Sequence, residues 1–365
     1  MAERLKYHFE PRTGWINDPN GLVFFQGKYH AFFQHYPFAP RWGQMHWGHA
    51  VSEDLVHWEE LPIALYPDRE YEDSKQGGCF SGCAVVKDDV LYLIYTSVSD
   101  RHGQTQSVAM SRDGVRFDKY DGNPVIGLFP AEASADFRDP KVTYMNGAYY
   151  MVVASGKDGI GKILLYKSQN LLEWDYEGVL FEGAQFGGIL ECPDFFPFED
   201  KYLLMFSQMN CDTRSTMFAY GDFDGKKLTN YSLHTPHIGP HYYAPQTFQD
   251  HRGRRILIGW LFNKDEKLNG GTDYAGALTI PCELSMKDGK LRAYPVEEAQ
   301  GLLSGSDELV VVEDDKIRIK ADNVAFPVEY SSRIDSVRVL RDTKTIEVFV
   351  NEGEAVFTYW YYAGK

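Results

Sequence analysis

The chain has 365 residues, 44% hydrophobic and 15% aromatic, enough for one large domain or two ordinary ones with an aromatic, strand-rich core. Its 52 acidic and 37 basic residues leave a formal charge of −15, and no apolar run reaches membrane-spanning length, which argues against a nucleic-acid partner, an anionic membrane surface and a transmembrane anchor. The five cysteines, Cys79, Cys83, Cys192, Cys211 and Cys282, fit no zinc spacing and read as buried reduced thiols; with first residues that lack a signal-peptide core, this predicts a cytoplasmic protein.

In chain order, the first strong signal is Trp15-Ile16-Asn17-Asp18-Pro19-Asn20-Gly21. Turn chemistry explains the proline, the asparagine and the glycine, but not an indole beside a carboxylate held in the turn. An aromatic strand follows at 28–33, and equivalents recur at 90–95, 148–153, 201–206 and 255–260. Taking Tyr29, Tyr92, Tyr149, Tyr202 and Ile256 as markers, the steps are 63, 57, 53 and 54 residues. A second marker runs in phase: segments 52–58, 111–117 and 168–174 share a serine, an Asp or Asn two residues on and an aromatic end, and 221–224 reads as a decayed fourth copy. Trp58 and Trp174 occupy matching positions of this marker and read as structural. The histidines 30, 35, 46, 49 and 57 crowd one stretch, but strand spacing scatters them over both faces, so they read as core or rim residues and not as a metal site.

A period in the fifties with short strands and turns is that of a four-stranded propeller blade, and five copies predict an all-β, five-bladed β-propeller over residues 1–295. Asp18 stands 11 residues before Tyr29, Asp139 10 before Tyr149 and Glu191 11 before Tyr202. The matching stretches of the other two repeats hold Phe80-Ser81-Gly82 and Tyr242-Tyr243-Ala244. All five fall in the first strand of their repeat, the strand that lines a propeller's channel, so three carboxylates should converge at one mouth. From 301 to 365 the texture changes to short alternating strands at 308–312, 316–320, 336–340, 345–350 and 355–360, which predicts a short C-terminal β-sandwich-like module that leans on the propeller.

Neighbouring carboxylates push their pKa values apart and supply one ionised and one protonated group, the pairing that glycosidic cleavage uses. Trp15, Trp42, Trp47, Phe80 and Trp260 can cover the apolar face of a sugar ring, and Asn17, Gln34, Ser81 and Arg138 can bind hydroxyls. Arg138 reads equally well as a structural partner of a carboxylate. No phosphate loop, nucleophile elbow or zinc-protease motif is present.

These residues resemble glycoside hydrolase family 32, the β-fructofuranosidases, in the manner of bacterial sucrose and sucrose-6-phosphate hydrolases. The likeness rests on the Trp15 to Gly21 run, Phe137-Arg138-Asp139-Pro140 and Glu191-Cys192-Pro193-Asp194. It is extended by Tyr7-His8-Phe9, Trp42-Gly43 with Met45-His46-Trp47-Gly48-His49, Phe80-Ser81-Gly82, Tyr243-Ala244-Pro245-Gln246 and Glu347-Val348-Phe349-Val350-Asn351. The resemblance implies a propeller with a C-terminal sandwich, Asp18 as nucleophile, Glu191 as acid/base and Asp139 as transition-state stabiliser. It also implies a retaining mechanism through a covalent fructosyl-enzyme, with the Asp18 and Glu191 carboxyls roughly 5–5.5 Å apart. Asn17, Gln34, Trp42, Phe80, Ser81, Arg138, Tyr243 and Trp260 would bind substrate, a small β-fructoside such as sucrose, sucrose-6-phosphate or a short fructan, with no metal or other cofactor. A fructosyltransferase using the same site, a fructoside-binding propeller without turnover and an arabinan-acting relative are the alternatives. The chain departs from the family at Leu190, at Cys282, in its short C-terminal module, and at His237 and His241, which stand where acids are usual; His241 is expected on the leaving-group side.

Overall fold

The computed structural model describes residues 4–209, 215–262, 272–313, 316–320, 330 and 333–361; Cys211 lies outside them. Five blades of four antiparallel strands follow one another along the chain, spanning 14–65, 78–119, 137–183, 189–234 and 243–295, and Tyr274–Ala275, from within the last stretch, adds a short parallel fifth strand to the first sheet beside Gly14–Trp15. The first strands, Gly14–Phe25, Gly78–Lys87, Phe137–Met145, Ile189–Phe198 and Tyr243–Gln249, touch one another in a closed ring and line the axis. The fold is therefore the expected all-β, five-bladed propeller. The aromatic repeat marks the second strands, such as Ala148–Lys157, which is buried along nearly its whole length because neighbouring blades cover both of its faces.

The second marker is the turn between the third and fourth strands. Asp54, Asp113, Asn170 and Asp224 each accept two backbone N–H bonds from the residues two and three positions on, so the fourth copy is structurally intact. The Trp58 and Trp174 indoles donate to the carbonyls of Leu55 and Leu171 and are structural, as expected. His30 and His49 pair with each other inside blade 1 at 3.0 Å.

The C-terminal strands Val337–Arg341, Thr345–Val350 and Ala355–Trp360 form a sheet whose fourth strand is His237–Ile238, borrowed from the link between blades 4 and 5. A hairpin, Val310–Glu313 with Lys316–Ile319, packs Ile317 and Ile319 against Val339, Ile346 and Phe357 of that sheet. The module leans on the propeller: Leu340, Phe349 and Val356 share one apolar core with Ile256, Leu284 and Leu291 of blade 5. The segment before blade 1 closes the ring, since Gly14 N donates to Asp273 O and Leu278 N to Phe9 O. No helix among the described residues is long and apolar enough to cross a membrane.

Candidate active site

Each of the five inner strands carries a bulge at the same height. Two residues of the inner strand face one of its partner at 17–18, 80–81, 139–140, 192–193 and 244–245. A bulge re-aims the side chains around it, and a proline can sit inside one because its missing N–H breaks no ladder bond. Asp139, Cys192 and Ala244, first in their bulges, have φ of 60°, 48° and 48°. The three acids take three successive places around this shared feature. Glu191 precedes its bulge, Asp139 is first in its own, and Asp18 is second.

Residues in the same place on adjacent blades bond to one another. Before the bulge, Arg138 of blade 3, Glu191 of blade 4 and Tyr243 of blade 5 form a row. Arg138 Nε and Nη2 donate to Glu191 Oε1 at 3.2 and 2.7 Å, and the Tyr243 hydroxyl donates to Oε2 at 2.6 Å. At the first bulge place, Cys192 N donates to Asp139 Oδ2 at 2.9 Å. At the second, the Ser81 hydroxyl donates to Asp18 Oδ2 at 2.6 Å, while Asn17 Nδ2 donates to Oδ1 at 3.0 Å. The Cys192 thiol joins the rows, 3.7 Å from Asp18 Oδ2 and 3.6 Å from Asp139 Oδ2. Beneath them Asp194 Oδ2 accepts the Thr247 N–H and hydroxyl, with Lys141 Nζ 3.5 Å away, so a buried polar layer floors the site.

The crowding has electrostatic consequences. Burial raises the Asp18 pKa and the Glu191 charge adds to it, against the opposing bonds from Ser81 and Asn17. Burial, with the charges of Glu191 and Asp18, takes Asp139 up to about 7 despite Arg138 beside it. Burial disfavours the Arg138 charge, but Glu191 and Asp139 outweigh it and raise the guanidinium pKa. Burial and the surrounding carboxylates keep the Cys192 thiol protonated, so it donates.

The remaining expected residues divide. Trp42 lies edge-on to Phe80, centroids 6.1 Å apart, next to Ser81. Trp15 and Trp260 meet edge-on at 5.8 Å, and the Trp15 indole donates to Asn17 Oδ1 at 2.7 Å. Gln34 lies opposite the first bulge, buried, with Nε2 donating to Cys79 O at 3.0 Å, where it braces blade 1 on blade 2. Trp47 is 0% exposed, wedged between Phe32 and Tyr95 with its indole donating to Phe80 O, so it supports the site and cannot cover a sugar. His241 faces the C-terminal sheet: its Nδ1 accepts the Trp360 N–H at 3.1 Å, and its ring meets Tyr359 edge-on. His237 is buried and stacks on Tyr242 at 3.7 Å. Asp136 was missed by sequence reasoning; it stands just before the inner strand of blade 3, and its Oδ1 accepts Arg138 Nη1 at 2.7 Å, a contact signalled by their two-residue spacing. A groove of about 570 Å³ between blades 3 and 4 opens beside it.

A family model for the glycosyl hydrolases family 32 N-terminal domain matches residues 8–295. The chain is 35% identical to sucrose-6-phosphate hydrolase of Escherichia coli, over 96% of this chain and 88% of that protein. It is 39% identical to sucrose-6-phosphate hydrolase of Zymomonas mobilis over 80% of its length, but spans only 62% of that relative. Among solved structures it superposes on a Bombyx mori GH32 β-fructofuranosidase mutant in complex with sucrose, with TM-score 0.86, 30% identity, and coverage of 98% of this chain and 89% of that one.

Proposed function

The chain belongs to glycosyl hydrolase family 32 and is a β-fructofuranosidase, and we propose that it releases terminal fructose with retention, with Asp18, Glu191 and Asp139 dividing the chemistry. The observation that carries this reading is the set of separate donors given to acids sharing one mouth: Ser81 and Asn17 on Asp18, Arg138 and Tyr243 on Glu191. Donors on Asp18 favour its ionised form, which a nucleophile requires. In the first step the Asp18 carboxylate forms a bond to the anomeric carbon of fructose. The bond from that carbon to the leaving oxygen breaks, and Glu191 delivers a proton to that oxygen. In the second step Glu191 takes a proton from water, whose oxygen attacks the same carbon and releases Asp18. Asp139, buried between them, is placed to grip fructose hydroxyls as positive charge grows on the ring.

Fructosides with small leaving groups, namely sucrose, sucrose-6-phosphate and short fructans, are the proposed substrates. The four described cysteines are free and buried, which suits a reducing cytoplasm. The test is a product assay on sucrose, sucrose-6-phosphate, inulin, levan and arabinan with wild type, Asp18→Asn and Glu191→Gln. Wild type should release fructose as the β-anomer from one or more of the fructosides and nothing from arabinan. Asp18→Asn should abolish release and Glu191→Gln should slow it by about 10²–10⁴, with circular dichroism unchanged. Full activity in either variant would refute the assignment.

A further inference from the structure

The loop from Pro37 to Met45 joins the second and third strands of blade 1, and Tyr66 begins the link to blade 2. Both leave the propeller on the side where the acids lie, since Tyr36 pairs with Trp15 at the entry of the inner strand. The loop is sewn to blade 2, with Met45 N donating to Gly77 O and Cys79 N to Met45 O.

Aromatic rings run outward along this seam. Phe80, next to Ser81, meets Trp42 edge-on; the Tyr36 ring lies so close to Gly43 that a Cβ there would fall 2.8 Å from it. Tyr36 meets Phe38 at 5.5 Å, Phe38 meets His46 at 5.8 Å, and His46 meets Tyr66 at 5.7 Å, each pair edge-on. Phe38 is 75% exposed, Tyr66 50% and Trp42 38%. Nothing in the cleavage of a small fructoside accounts for Phe38 and Tyr66, and an exposed phenylalanine gains nothing for the fold.

We propose that these rings are a saccharide track, in which Phe38 and Tyr66 seat the sugar units of an oligofructoside that lie beyond the bond being cleaved. The inference rests on the fructosidase reading of the site. Three features favour a sugar over a protein partner. The rings begin beside the Phe80–Trp42 pair, because Tyr36 packs on Gly43, the residue after Trp42. They pair an exposed apolar ring, Phe38, with a half-exposed ring that carries a hydroxyl, Tyr66, as a sugar with one apolar face and a hydroxyl rim requires, while buried His46 spaces the two. Their exposed surface is about 300 Å², well under the roughly 800 Å² per partner of a stable protein interface.

The test compares wild type, Phe38→Ala, Tyr66→Ala and the double variant on sucrose and on inulin-type oligofructosides of increasing length. Sucrose kcat/KM should be unchanged, while that on the longest oligomer falls about tenfold in the double variant, mainly through KM. Equal losses on sucrose and the long oligomer, or no loss on the latter, would overturn the track. A second arm is independent of turnover: Asp18→Asn should be retarded in an inulin-containing native gel, and adding Phe38→Ala and Tyr66→Ala should abolish the retardation. Equal retardation in both would overturn the proposal, as would sedimentation showing that the double variant dissociates a dimer. Wild type cleaving no fructoside would instead refute the activity, with the gel still reading the track.

Discussion

In the mechanism we propose, Asp18 has to be ionised to attack carbon, yet it stands in a buried mouth among two other acids, and its pKa is raised for that reason. The Ser81 hydroxyl, 2.6 Å away, is the stronger of two donors from outside its own bulge that work against that rise, the other being the Cys192 thiol at 3.7 Å. A hydrogen bond to a charged group contributes about 1.5–3 kcal/mol, and one pKa unit corresponds to about 1.4 kcal/mol. Removing this donor disfavours the carboxylate and moves the Asp18 pKa further up. Ser81→Ala should therefore shift the acid limb of the kcat/KM profile to higher pH by about one unit. On the plateau above the limb, activity should stay close to wild type, because Asn17 still holds the other oxygen. An acid limb at the wild-type pH in Ser81→Ala would show that Asp18 does not set it.

The bulge is the element that turns a strand repeat into a site. Its rows explain why Arg138, Glu191 and Tyr243 meet although 53 and 52 residues separate them: the spacing is one blade. That the three acids would share a mouth was legible in the sequence, because each precedes its marker by 10 or 11 residues. Their staggered places around the bulge were not, since a count of residues cannot reveal which inner-strand residue goes unpaired. Trp47 was misread for a related reason: it lies in a motif with Trp42, but Trp42 stands in the loop while Trp47 belongs to His46–Ser52, a strand buried at every position. Ala244 offers a direct test of the element. It is buried with φ of 48°, where a β-branched side chain clashes with its own backbone, and it sets the bulge that presents Tyr243 to Glu191. Ala244→Val should cost about 2 kcal/mol or more and lower kcat/KM, read by thermal melting and by kinetics on sucrose. Ala244→Gly, free of the left-handed penalty, should keep both near wild type. Equal behaviour of the two variants would mean that the bulge does not hold Tyr243.

At the scale of the whole molecule, the four antiparallel strands of each blade come from one continuous stretch of chain, and the strand pairing that ties blade 5 to blade 1 is the short parallel one of Tyr274–Ala275 with Gly14 and Trp15. A buried charge cluster adds a second lock by joining the N-terminal segment to the C-terminal sheet. Asp342 of the C-terminal sheet accepts the backbone N–H groups of Lys6, Tyr7 and His8, and His8 bridges Asp342 at 2.9 Å and Glu347 at 2.8 Å. Glu347 also accepts Ile280 N from blade 5. The sequence held Tyr7-His8-Phe9 and Glu347 as isolated motifs; their meeting was hidden because 339 residues separate them and they belong to no repeat. Burial works against a charge on His8, but the two carboxylates outweigh it and lift its pKa to about 9. His8 lowers Asp342 well below the usual carboxylate range, although burial opposes this. A group whose pKa rises on folding stabilises fully below its unfolded value, near 6.5, and that contribution fades as pH climbs through 9. Asp342 has the opposite sign: its contribution holds above its unfolded value and is lost only in acid. His8→Gln, which leaves the carboxylates facing each other, should cost about 3–5 kcal/mol at pH 6, seen as a lower Tm. The Tm gap to wild type should narrow between pH 6.5 and 9 as wild-type His8 loses its proton. A gap of the same size at pH 6 and pH 9.5 would mean that the clasp works without that charge, and that packing alone holds the two ends of the chain together.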